Sequence, residues 1–105
     1  MSTVEITSET EDGTGWVFRV QAITDEGGLH RCDLRLSWSD YDYWCPGAAW
    51  PPDRVALAVA EFLVGRDGVE ALGAKLDAGT VRRLHRDADA VIPGLVGRGE
   101  GDLRG

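Results

Sequence analysis

Near position 51 the spacing of apolar residues changes from two to about three and a half, and that change limits what the chain can fold into. Upstream, Trp16, Phe18, Val20 and Ala22 alternate with Arg19 and Gln21. Further along, Cys32, Leu34, Leu36 and Trp38 alternate with Arg31, Asp33, Arg35 and Ser37. Val4 and Ile6 begin the same pattern. Turn-forming stretches, Glu11 to Gly15 and Asp25 to Gly28, separate the runs. Short turns between alternating runs predict a three-stranded antiparallel meander with one apolar face.

Downstream, Val55, Ala58, Val59, Phe62 and Leu63 recur at helical spacing. Pro51 and Pro52 suit the opening of that helix, Asp53 complements its positive end, and Gly65 is the expected stop. Asp67 with Glu70 predicts a short second helix carrying Val69 and Leu72 and ending at Gly73. Asp77 is placed to cap a third, bearing Val81 and Leu84. Around Pro93 and Gly94, the residues Val91, Ile92, Leu95 and Val96 form a last apolar patch compatible with turn, strand or extended chain. A meander with one apolar face needs cover, and the long helix has a matching stripe. The predicted fold is therefore α+β: three antiparallel strands covered on one face by one long and one or two short C-terminal helices. Residues 1–96 form one domain, and residues 97–105, with four glycines and a single apolar side chain, are expected to be a mobile tail.

The formal charge of −7 is concentrated in the first half, where nine acids face three arginines across residues 1–50. Such a field opposes sequence-independent binding of a phosphate backbone, so no nucleic-acid partner is expected. No apolar run approaches ~18 residues and the N-terminus lacks the pattern of a secretory signal, so neither membrane insertion nor export is expected. A cytoplasmic location follows, with Cys32 and Cys45 as free thiols.

Chemistry concentrates between Trp38 and Pro52, where five of the eight aromatic residues fall. Read as a loop joining the last strand to the long helix, this segment is longer than most such connections. It offers Asp40, Tyr41, Asp42, Tyr43, Trp44 and Trp50 as candidate binding residues. Tyrosine and tryptophan bring rigid area with a polar tip, and the interleaved aspartates favour a cationic or hydroxyl-rich partner. Trp38, in phase with the buried face of its strand, is expected in the core. Tyr41, Tyr43 and Trp44 are expected nearer the surface. A structural role, plugging the end of the core, is open to the same tryptophans.

Other constellations carry less. His30, Cys32, Cys45 and His85 lack the spacing of zinc ligands, and no metal or cofactor is expected. Arg82, Arg83 and Arg86 sit toward the C-terminal end of the third helix, where its dipole favours cations. No nucleophile elbow, phosphate-cradling loop, paired metal-binding histidines or calcium loop is present, so no catalytic residues are assigned.

Trp16-Val17-Phe18-Arg19-Val20, Pro51-Pro52-Asp53-Arg54-Val55, Glu61-Phe62-Leu63-Val64 and Leu76-Asp77-Ala78 together resemble small bacterial α+β domains. The resemblance spans about 80 residues of fold pattern and implies no catalytic residues. The leading functional expectation is a non-enzymatic module that presents residues 38–52 to another protein. The alternative is a small-molecule binding protein or enzyme with a pocket between that segment and the helices, using Asp40, Asp42 and Arg82. A third possibility is self-association through the aromatic segment.

Overall fold

The computed structural model describes residues 3–103, with side chains through Val96. Three nine-residue strands, β1 (Thr3–Glu11), β2 (Gly15–Ile23) and β3 (Leu29–Ser37), form the expected antiparallel meander. Helix α1 (Trp38–Trp44) follows directly, then a 3₁₀ turn (Pro46–Ala48) and the long helix α2 (Pro52–Asp67). A second 3₁₀ turn (Val69–Leu72) leads to a three-residue strand β4 (Lys75–Asp77), and α3 (Ala78–Leu84) and α4 (Ala88–Leu103) complete the chain.

The fold is α+β, but the sheet has four strands in the order β1-β2-β3-β4 rather than three. β4 lies parallel to β3, with Leu76 beside Leu34, so the sheet is mixed and the purely antiparallel description is corrected. Three residues are too few to show a periodicity, and a parallel partner has to return by a long connection that local spacing does not reveal.

One sheet face supplies most of the core. Phe18, Val20 and Ala22 of β2 and Cys32, Leu34 and Leu36 of β3 are buried, the larger ones contributing about 1.5–3 kcal/mol each. Helix α2 crosses β1, β2 and β3. It buries Val55, Ala58, Val59, Phe62 and Leu63, together with Ala56 and Ala60. Its alanines leave little side chain between helix axis and sheet, so the backbones can approach closely. The expected stop at Gly65 is passed: α2 runs to Asp67 and ends where Gly68 adopts φ 88°, a conformation glycine enters without steric penalty. Residues 69–72, expected as an α-helix, form the 3₁₀ turn.

The patch around Pro93 is helical. In α4, Ala88, Ile92 and Val96 are buried at four-residue spacing and pack against α2. The mobile tail expected at 97–105 lies beyond the residues whose side chains are described, and residues 104–105 lie outside the described chain altogether.

β1 is an edge strand. Its register slips between Ile6 and Ser8, so Glu9 and Glu11, rather than Ser8 and Thr10, stand beside Phe18 and Trp16. On the outer sheet face the Arg19–Asp33 ion pair (2.6 Å) and the Gln21–Glu5 hydrogen bond (3.1 Å) link neighbouring strands. Arg35 bonds Asp12 and Thr14 in the first turn. Arg35 also draws the Asp12 carboxyl below its ordinary pKa, assisted by the Thr14 backbone amide.

Gly15, at the start of β2, lies opposite Ser37, where β3 gives way to α1. A Cβ there would stand 2.2 Å from the Leu36 carbonyl oxygen and 2.7 Å from the Ser37 Cα. Gly15→Ala is expected to destabilise the fold by about 2 kcal/mol or more through backbone displacement, read as a lower midpoint of urea unfolding.

Candidate functional site

The segment between β3 and α2, read in sequence as a loop, begins with the two-turn helix α1 and continues through the 3₁₀ turn Pro46–Ala48. Ser37 explains the change of direction. Its backbone is extended (φ −75°, ψ 157°) and its Oγ accepts the Asp40 N–H at 3.1 Å, capping α1. The strand therefore ends one residue before Trp38, and Trp38 leaves the buried row that alternation predicts for it. It is 44% exposed, with its ring edge-on to Trp16 at 6.5 Å. Ser37-Trp38-Ser39-Asp40 is a capping-box pattern, and it was the available signal for this helix.

Helical geometry divides the segment into two faces. Asp40, Tyr41 and Trp44 turn inward, whereas Trp38, Ser39, Asp42 and Tyr43 turn outward. Tyr41 is half-buried; its hydroxyl donates to the Trp50 carbonyl at 2.6 Å and its ring stands edge-on to Trp16 at 5.2 Å. Burial, then the nearby Cys45 and Asp42, raise its pKa. Trp44, expected nearer the surface, is only 2% exposed. Trp50 is half-buried under the Arg54 guanidinium, 5.2 Å from the ring centroid.

Beneath α1 lies a polar knot. Arg82 of α3 donates from Nη1 to Asp40 Oδ1 at 2.8 Å and from Nε to Asp89 Oδ1 at 3.1 Å. Trp44 Nε1 donates to the same Asp89 oxygen at 2.8 Å. The Arg82 guanidinium lies 4.1 Å from the Tyr43 ring centroid and 5.9 Å from that of Trp44. Asp40, 7% exposed, is thus paired, and three helices share one cation. The hydrogen bond from Asp40 is the largest influence raising the Arg82 pKa. For Asp89, burial pushes the carboxyl up, but hydrogen bonds from Trp44 and Arg82 and the Arg82 charge outweigh it and leave the pKa lowered.

Among the six residues singled out in sequence, the structure brings Asp40, Tyr43 and Trp44 around Arg82. Tyr41 and Trp50 are joined to each other, and Asp42 and Tyr43 reach solvent. Arg82, a helix-end cation in sequence and a member with Asp40 and Asp42 of the alternative site, pairs with Asp40 and not with Asp42, whereas Asp89 and the exposed Trp38 carry no sequence signal for the site. The junction of α1 with α3 and α4, where the alternative function requires a pocket, is bridged by the Arg82 guanidinium. A hollow of about 530 Å3 lies elsewhere, beside β4, lined by Val17, Arg35, Lys75, Asp77 and Thr80 among others.

Both cysteines are buried. Cys32 donates its thiol to the Leu72 carbonyl at 3.3 Å, and burial, with Asp33 nearby, pushes its pKa up to about 11. Cys45 Sγ accepts the Trp50 N–H at 3.3 Å. Among the described residues, no group of three or more metal-ligating side chains converges, and no helix is long and apolar enough to cross a membrane.

No protein-family model, curated protein or solved structure matches the chain.

Arg82→Ala removes the only cation paired with Asp40 in the knot, and is expected to cost about 2–3 kcal/mol in urea unfolding at pH 7. The pH dependence has a definite sign. The lowered pKa of Asp89 means that its stabilising contribution is present above the ordinary carboxylate value, about 3.9, and is lost as pH falls through its folded value. Acid titrations of wild type and Asp89→Asn should differ below about pH 4, where the variant loses less stability per unit of pH.

Proposed function

We propose that this chain is a protein-interaction module whose docking surface is the solvent face of α1. The carrying observation is the pair of exposed aromatic side chains, Trp38 (44%) and Tyr43 (53%), beside the exposed Asp42 on a helix pinned from its other face. Ser37 caps its start, and Tyr41, Trp44 and Asp40 bond to three other parts of the molecule. An aromatic surface held in place before contact loses little freedom on binding, which favours recognition.

Asp40 and Trp44 belong to the internal knot and Asp42 to the contact surface, while Tyr43 joins the two, its side chain exposed and its ring 4.1 Å from the Arg82 guanidinium. Trp38 joins the surface. Its burial by a second copy of the chain is the competing outcome. Trp38 and Tyr43 are both exposed, so the double variant is expected to fold, with a loss of about 0.5–1 kcal/mol from removing the Tyr43 ring from the Arg82 guanidinium. A Trp38→Ala/Tyr43→Ala double variant should remain folded but lose a partner that the wild-type chain retains in affinity capture from its native cells. Identical captured sets would overturn the proposal. A dimer by sedimentation velocity that dissociates in the double variant would show self-association instead.

A further inference from the structure

We infer that the solvent face of α1 receives an arginine side chain of its partner, held between the Trp38 indole and the Asp42 carboxylate. The inference rests on the docking surface proposed above. Trp38 and Asp42 are four residues apart, so they stand one turn apart on the same side of α1, and both are exposed. Asp42 makes no ion pair among the described residues.

The opposite side of the same helix already shows which group such a combination holds. There Asp40 accepts from Arg82 at 2.8 Å with the Trp44 ring 5.9 Å from the guanidinium, and Tyr43, at the border of the two faces, sets its ring 4.1 Å from the same group. A carboxylate and aromatic rings on adjoining turns of α1 thus bind one planar cation internally. Trp38 and Asp42 repeat the two components facing water.

Charge placement favours an incoming cation. The three arginines of the first half, Arg19, Arg31 and Arg35, share the outer sheet face, on the other side of the sheet from Trp16 and its edge-on partners Trp38 and Tyr41. Arg19 and Arg35 are also engaged by Asp33 and Asp12. Glu11, exposed and paired in register with Trp16, adds a second carboxylate near the cluster that contains Trp38. Arginine fits better than lysine because its planar, weakly hydrated guanidinium can stack on an indole while donating to a carboxylate.

The test uses the full chain labelled with nitrogen-15 and N-acetylarginine amide as the probe, with the lysine and citrulline analogues as controls. The expected result is a saturable displacement of the Trp38 indole N–H signal, identified by its loss in Trp38→Phe, with an affinity on the order of millimolar. The lysine analogue should bind at least threefold more weakly, and neutral citrulline should give no saturable shift. Asp42→Asn should weaken the arginine response at least threefold without moving the signals of buried Val20 and Leu34. Equal responses to arginine and citrulline, or arginine shifts confined to residues away from Trp38 and Asp42, would overturn the inference. If a partner is still captured in a Trp38-dependent manner while the arginine response fails, only the arginine assignment falls. If both fail, the docking surface falls with it.

Discussion

The fold depends on removing one face of the meander from water. Phe18, Val20, Ala22, Cys32, Leu34 and Leu36 present a continuous apolar surface that three strands alone leave exposed. Helix α2 answers it with a stripe in which alanines alternate with Val55, Val59, Phe62 and Leu63. With α2 fixed across the strands, the chain between β3 and α2 has to turn at one corner of the sheet. That corner is where the aromatic segment is found, so its position is a consequence of covering the core.

The large features of this arrangement were legible because burial imposes a period. Each of the five apolar residues used to place α2 is buried, and the inward rows of β2 and β3 are those that alternation predicts, up to Leu36. Trp38 marks where period stops being informative: it continues the alternation numerically, but a hydrogen bond from Asp40 N–H to Ser37 Oγ starts a helix and turns it outward. Local capping outweighed pattern. β4 escaped for a different reason, since Lys75–Asp77 is held by its neighbour in space and has no pattern of its own. Arg82 was legible only in part: chemistry grouped it with Asp40, 42 residues away, but nothing in local spacing showed that Asp89 shares the same guanidinium.

The two sides of α1 use similar residues to opposite ends. Inward, Asp40 and Trp44 are fully engaged: the carboxylate holds Arg82 and the indole N–H holds Asp89, which ties α1 to α3 and α4. Such a cluster is costly to desolvate, and its hydrogen bonds offset that cost only if all members are present. In return it gives a seven-residue helix, too short to be stable alone, a fixed orientation. The outward residues inherit that rigidity.

The slip in β1 has a bearing on how the molecule behaves in a crowd. A sheet edge is a template on which strands of other molecules can polymerise, most readily when it is flat and uncharged. Here the slip at Thr7 disrupts the even spacing of backbone donors and acceptors, and Glu5, Glu9 and Glu11 place like charges along the strand. Approach of an identical edge would bring glutamates toward glutamates on an irregular ladder. Along this edge of the sheet, an encounter with another molecule is therefore met by charged side chains before it reaches backbone.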